Sequence, residues 1–246
     1  MPQRQYFVSV PSTQEPALEL ARRGADPGTR VVAGEQASGK GRHDHAWASP
    51  PGGLYVSIVR EGRPEAGPLL SLAVGACLCD RIRSRWGPPV KLRWPNDIVC
   101  PHPHGPATKL GGVLVEGVQG SDGYRTVVGI GLNVHAPLSA FPAGIRSSVC
   151  TFGGDFGITA PLGEFEREVT EAIAELFTSL ASDAGRARYR ARARELLYGR
   201  GLAARIDGVA VGVIEGLGED GSLLVRNETG TREFLDGTLT LAEGSS

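Results

Sequence analysis

The chain has 246 residues, 41% of them hydrophobic, with 26 basic against 27 acidic side chains, a formal net charge of −1 and a pI near 6.5. That apolar content supports a full core, and the near-neutral balance excludes a positive field that would hold the chain to nucleic acid or to an anionic membrane. The opening "MPQRQYFVSV" lacks the apolar run of a signal peptide and no stretch approaches the ~20 apolar residues of a membrane span, so a soluble, cytoplasmic protein is expected.

In chain order, "VPSTQEPALELARR" reads as a helix opened by a capping box, Ser12 with Glu15, and given an apolar face by Ala17, Leu18, Leu20 and Ala21. "TRVVAGEQ" then reads as a strand feeding "QASGKGRHDHAW" at 36 to 47. Two glycines around Lys40, ahead of Arg42, suit either a loop that passes close to an anion or an ordinary surface turn. "GGLYVSIVR" alternates Leu54, Val56 and Ile58 against Tyr55, Ser57 and Val59, which predicts a second strand. Pro68 begins a helix that is apolar on nearly all sides through Leu78.

Three more strands follow: "VKLRWPND", ending in a Pro-Asn-Asp turn, "TKLGGVLVEGVQ", and "YRTVVGIGLNV", ending at Asn133, with "CPHPHGPA" as a Pro-rich loop. The spacing Phe165, Val169, Ala172, Ile173, Leu176, Phe177, Leu180 predicts an amphipathic helix, broken at "SDAG" and then resumed. Composition changes after residue 197. Short alternating runs separated by "GEDGS" and "NETGT" turns predict a small all-β barrel of about five strands. The expected domains are therefore 1–197 and 198–246.

Cys77 and Cys79 lie two apart in a predicted helix and do not face each other; with Cys100 and Cys150 they read as reduced, buried thiols. Only three basic residues are lysine, Lys40, Lys91 and Lys109, as if a compact ammonium rather than a planar fork is needed in places. The clusters His43, Asp44, His45 and Cys100, His102, His104 lack the spacing of a structural zinc site, and no metal site is expected there.

The polar groups Ser12, Thr13 and Gln14, Gln36 to Arg42, "RWPND" at 93 to 97, "KLGG" at 109 to 112, and Asn133 all fall where loops meet one sheet. In their order, "STQ", "EQASGKGRHDHAWASPPGGLYVSI", "LRWPNDI", "KLGGVLVE" and "VGIGLNV" resemble the catalytic domain of biotin–protein ligases, the biotin–acetyl-CoA-carboxylase ligases. The β tail resembles the small SH3-like barrel that follows that domain, so the likeness spans essentially the whole chain. It implies an α+β fold, a mixed sheet packed with helices in the manner of class II synthetases. It also implies activation of biotin by ATP to biotinyl-5'-AMP, transfer to one lysine of a biotin carboxyl carrier domain, a role for Mg2+ with the nucleotide, and room for a homodimer.

On that resemblance the residues take roles. Attack of a carboxylate on a phosphate brings two anions together, and preorganised cations must offset the repulsion. Lys109 would bridge biotin carboxylate and α-phosphate, while Lys40 and Arg42 fold over the adenylate with Gly41 admitting the backbone. The neutral ureido head suits Ser12, Thr13 and Gln36, with Gln14 also among the biotin-binding residues and the backbone at Gly111 and Gly112 against the apolar tail. Trp47 packs beneath the loop or serves as a core aromatic. Asp97 orients the acceptor amine or takes its proton; Asn96 positions that amine or a Mg2+; Asn133 meets phosphate or ribose.

The family's loop usually carries a further glycine and often a basic residue after the position of Arg42, where this chain has His43, Asp44 and His45. Some relatives carry a helix-turn-helix repressor domain ahead of the ligase; about ten residues precede Ser12, so the form without that domain is expected. Two other readings stand beside this one: a lipoyl or octanoyl ligase or transferase on the same scaffold, and a non-catalytic biotin-binding module.

Overall fold

The computed structural model describes residues 1–62, 68–103 and 105–242. The first elements are β1 (Arg4–Val10), α1 (Gln14–Arg22), β2 (Arg30–Lys40), β3 (Ala46–Ser49) and β4 (Leu54–Glu61). Next come α2 (Leu69–Trp86), β5 (Lys91–Arg93), β6 (Asp97–His102), β7 (Gly105–Gly120) and β8 (Gly123–Leu132). Then α3 (Phe152–Phe156), α4 (Leu162–Leu180) and α5 (Asp183–Leu196) precede β9 (Ala203–Ile206), β10 (Val209–Leu217), β11 (Leu223–Asn227), β12 (Gly230–Phe234) and β13 (Leu239–Ala242). The α+β class and the all-β tail agree with the sequence reading.

Two compact units form, Met1–Pro64 with Thr108–Phe177, and Glu65–Ala107 with Thr178–Ser246. In the first, strands lie in the order β1-β2-β4-β8-β7, with β3 also paired to β2. β1 runs parallel to β2 and the other pairs are antiparallel, so the sheet is mixed. α1 covers one face: Ala17 and Ala21 pack on Val31, Val59 and Val127. Small alanines let helix and sheet approach closely. Leu54 to Val59 are all buried rather than alternating, because β4 lies between β2 and β8 with both of its faces covered.

In the second unit, α2 buries Leu70, Leu72, Val74, Leu78 and Ile82 and packs against α5 and β5. Trp94, fully buried, donates its indole N–H to the Gly221 carbonyl at 3.1 Å, and Tyr198 N–H donates to Leu92 O at 2.6 Å. The tail forms the five-stranded antiparallel sheet β12-β11-β10-β9-β13. All four cysteines are free and buried, and burial pushes the Cys79 thiol well up. Among the described residues no helix is long and apolar enough to cross a membrane.

Local structure departs from the sequence reading at several places. Thr13, not Ser12, is the N-cap of α1, and no side chain caps it. The Thr13 hydroxyl is engaged with Gln36 and Ser57, and Glu15 is drawn to Lys40, so neither half of the expected capping box closes. "CPHPHGPA" is largely strand, the end of β6 and the start of β7. β1 and β3 were not foreseen; β1 exposes Tyr6 and Val8 at a sheet edge and so lacks a clean apolar period.

Candidate functional site

In the first unit the start of α1 meets β2, β3 and β4 through a chain of polar side chains, buried except for the half-buried Gln36. Thr13 N–H donates to Gln36 Oε1 at 2.8 Å, and Gln36 Nε2 donates to Ser49 Oγ at 2.7 Å. Ser49 Oγ in turn donates to the Trp47 carbonyl at 3.2 Å. On the other side Thr13 Oγ1 lies 2.9 Å from Ser57 Oγ, which donates to Gln14 Oε1 at 2.9 Å. Ser12 Oγ accepts from Gln14 N–H at 3.3 Å. Ser12, Thr13, Gln14, Ser49 and Ser57 are all at most 5% exposed. Four of the residues expected to bind biotin, Ser12, Thr13, Gln14 and Gln36, are thus joined in one network, and Ser49 and Ser57 extend it.

The sheet makes room for this cluster with two glycines on one face of β8. A Cβ on Gly129 would stand 2.6 Å from Gln14 Oε1, and one on Gly131 would stand 2.6 Å from Trp47 Nε1. Gly112 pairs with Gly131 across β7 and β8, and the indole of Trp47 lies over both. Gly111 belongs to the opposite face, where the Leu132 side chain crowds it. The Lys109 ammonium sits 4.7 Å from the Trp47 ring centroid, a cation–π contact of the kind that contributes about 0.5–2 kcal/mol. Trp47 Nε1 is buried with no hydrogen-bond partner.

Asn133, just past β8, donates from Nδ2 to the Lys109 carbonyl at 3.1 Å, while its buried Oδ1 has no partner. A buried acceptor without a donor is uncommon and costly, and it marks the place where a ligand donor would be favoured. The Gly-rich segment is a hairpin turn between β2 and β3, with Lys40 paired to Ala46 and Gly41 N–H donating to His45 O at 2.7 Å. Lys40 Nζ is 2.6 Å from Glu15 Oε1, which ties the hairpin to the first turn of α1. The turn places Arg42 in a short 3-10 helix whose left-handed residue is His43 (φ 49°), while Gly41 keeps an ordinary φ of −105°. The departure from the family pattern therefore sits at the one strained position of the turn.

Asn96 and Asp97 belong to the second unit. Arg93 donates to Asp97 Oδ2 from Nη2 at 2.8 Å and from Nε at 3.3 Å, across the tight turn that joins β5 and β6. The turn that carries Asn96 follows a cis Trp94-Pro95 bond. Among the described residues no group of three or more His, Cys, Asp or Glu side chains is arranged to hold a metal ion; His104 lies outside them, as does the Asp44 side chain.

Residues 6–133 match the model of the biotin/lipoate A/B protein ligase family. The chain is 31% identical over 233 residues to a biotin–[acetyl-CoA-carboxylase] ligase of Paracoccus denitrificans, covering 89% of this chain and 92% of that one. It is 27% identical over 249 residues to the bifunctional ligase/repressor BirA of Bacillus subtilis, covering 96% and 73%. The fold is similar to the biotin protein ligase of Aquifex aeolicus in complex with biotin and ATP, with a TM-score of 0.82 at 26% identity over 99% of this chain and 100% of that one.

Proposed function

This chain belongs to the biotin/lipoate A/B protein ligase family, and from that membership we infer that it is an ATP-dependent biotin–protein ligase. It forms biotinyl-5'-AMP and passes biotin to a lysine of a biotin carboxyl carrier domain. The observation that carries this reading is the polar chain Gln14, Ser57, Thr13, Gln36, Ser49, made entirely of neutral donors and acceptors. A ureido ring presents two N–H donors and one carbonyl acceptor, which such a chain can answer. The dithiolane of a lipoyl group has neither the N–H donors nor the carbonyl, so it would displace water from this chain without replacing those hydrogen bonds, at a cost in affinity.

In the first half-reaction a biotin carboxylate oxygen attacks the α-phosphate of ATP and pyrophosphate leaves. The Lys109 ammonium, seated on the indole of Trp47, neutralises the two anions as they meet. A point charge suits that task better than a fork, because it can shift between carboxylate and phosphate. Arg42 and Lys40 on the β2–β3 hairpin cover the adenylate, with Gly41 beside it, and keep water from the mixed anhydride. Gly112, on the Trp47 face of the sheet, lines the apolar tail, whereas Gly111 faces Leu132 on the other side and drops out of that role; Asn133 Oδ1 accepts from a ribose hydroxyl. In the second half-reaction the acceptor amine attacks the acyl carbon and AMP leaves. Asp97, held in orientation by Arg93, aligns that amine or takes its proton, and Asn96 positions it. Mg2+ bound with ATP would offset phosphate charge, and the Asn96 carboxamide, in the alternative to its role with the amine, would be the side chain that holds it.

The test is isotopic exchange between pyrophosphate and ATP by the purified protein. Exchange should depend on biotin and should not be supported by lipoate; support by lipoate alone would reverse the choice of substrate.

A further inference from the structure

The hydroxyl groups of the polar chain are one proton short. Three contacts need a hydroxyl proton: Thr13 Oγ1 to Gln36 Oε1 at 3.2 Å, Thr13 Oγ1 to Ser57 Oγ at 2.9 Å, and Ser57 Oγ to Gln14 Oε1 at 2.9 Å. Thr13 and Ser57 bring one hydroxyl proton each. The amides settle how those two are used. Thr13 N–H can only donate, so Gln36 must turn its oxygen toward it and its nitrogen toward Ser49. Gln14 turns its nitrogen toward the Val127 carbonyl, which leaves its oxygen facing Ser57. Ser57, with no exposed surface, therefore spends its proton on Gln14 Oε1. The Thr13–Ser57 contact then uses the Thr13 proton, and the longest of the three, Thr13 to Gln36, is left without one.

We propose that Ser57 is a positioning residue for biotin: by drawing the Thr13 proton inward it fixes Thr13 Oγ1 as an acceptor, with its lone pairs on the Gln36 side for a ureido N–H. The assignment rests on the reading of Thr13 and Gln36 as ureido contacts. Without the Ser57 hydroxyl, the Thr13 proton swings to Gln36 Oε1, its remaining neighbour, and Thr13 presents a donor where the ligand also presents one. Two facing donors lose a hydrogen bond and gain a repulsion, which corresponds to roughly a tenfold loss in affinity. Gln14 loses its donor at the same time and is freed to move over Gly129. Ser57 touches neither the reacting carboxylate nor the nucleotide in this scheme, so the effect should be confined to biotin.

The experiment is biotin-dependent pyrophosphate exchange by the full chain and three variants, Ser57→Ala, Thr13→Val and the double variant, with a thermal melt of each. Ser57→Ala should raise the biotin KM about tenfold while kcat and the ATP KM stay within about twofold. In the Thr13→Val background the same substitution should add less than about twofold, because the hydroxyl through which it acts is gone. Should Ser57→Ala fail to fold, the near-isosteric Ser57→Cys, a weak donor, replaces it and should fall between wild type and the alanine prediction. A biotin KM unchanged in Ser57→Ala, an equal rise in the ATP KM, or an undiminished effect in the Thr13→Val background would each overturn the assignment. A wild-type protein without biotin-dependent exchange would instead overturn the reading of the site itself.

Discussion

Lys109 and its indole seat concentrate the electrostatics of the first step in one residue. Lys109→Ala should leave biotin affinity within about threefold by titration calorimetry, because the ureido contacts are untouched, but should cut pyrophosphate release at least a hundredfold or so. Unchanged release would remove Lys109 from the chemistry. Gly131→Ala places a methyl 2.6 Å from Trp47 Nε1, against the backbone of a paired strand that cannot yield, so the indole must leave its seat. Overpacking of this kind costs about 1–3 kcal/mol, read as a lower denaturation midpoint, and biotin affinity should fall with it. An unshifted midpoint would show that the indole moves freely. The sequence made Ser12, Thr13, Gln14, Gln36 and Lys109 legible, because those letters recur in an ordered motif. Ser57 and Ser49 were not legible, since a serine in an apolar strand looks like filler until its partners from α1 and β2 are known. The glycines of "VGIGL" carry no role in the sequence alone, and only the packing shows that Gly129 makes room for Gln14 and Gly131 for Trp47.

At the scale of elements, β1 is fastened where α4 begins. Glu166 accepts from Arg4 at 2.8 and 2.7 Å and from Arg30 at 2.9 Å, tying β1 and β2 to the helix through one carboxylate. Burial alone would push the Glu166 carboxyl up, but the two arginine hydrogen bonds and charges outweigh it and hold it below the usual carboxylate range. A depressed folded pKa adds stability that is complete above the unfolded value of about 4.3 and is lost as pH falls through the folded value. The melting temperature of wild type should therefore exceed that of Glu166→Gln at pH 7, and the gap should shrink at about pH 3. A gap that is the same at both pH values would mean the ion triad does not contribute through charge. Neither β1 nor this triad was visible in the sequence, because Arg4, Arg30 and Glu166 are far apart in the chain and carry no local pattern. The hairpin was half visible. Its glycines left a close-passing loop and an ordinary turn both open, while the strained φ at His43 and the Lys40–Glu15 tie appear only in three dimensions.

For the whole molecule, the coarse reading came through because it rested on long, redundant signals: period-two runs for the strands, an apolar helix at α2, and a shift to Gly-punctuated β at the tail. The structure adds that the five-stranded tail packs within the same compact unit as α2, β5 and β6, with the Trp94 indole bonded to Gly221 in the turn before β11. Family membership and the full-length likeness to biotin ligases bear on the entire chain, and so does the decisive measurement. Purified protein, ATP, Mg2+, biotin and a biotin carboxyl carrier domain are incubated together, and the intact carrier is weighed by mass spectrometry. The account predicts a mass gain of one biotin on the carrier, dependent on ATP and absent when the acceptor lysine is replaced by arginine. A carrier that gains nothing, while a known biotin ligase labels the same preparation, would contradict it.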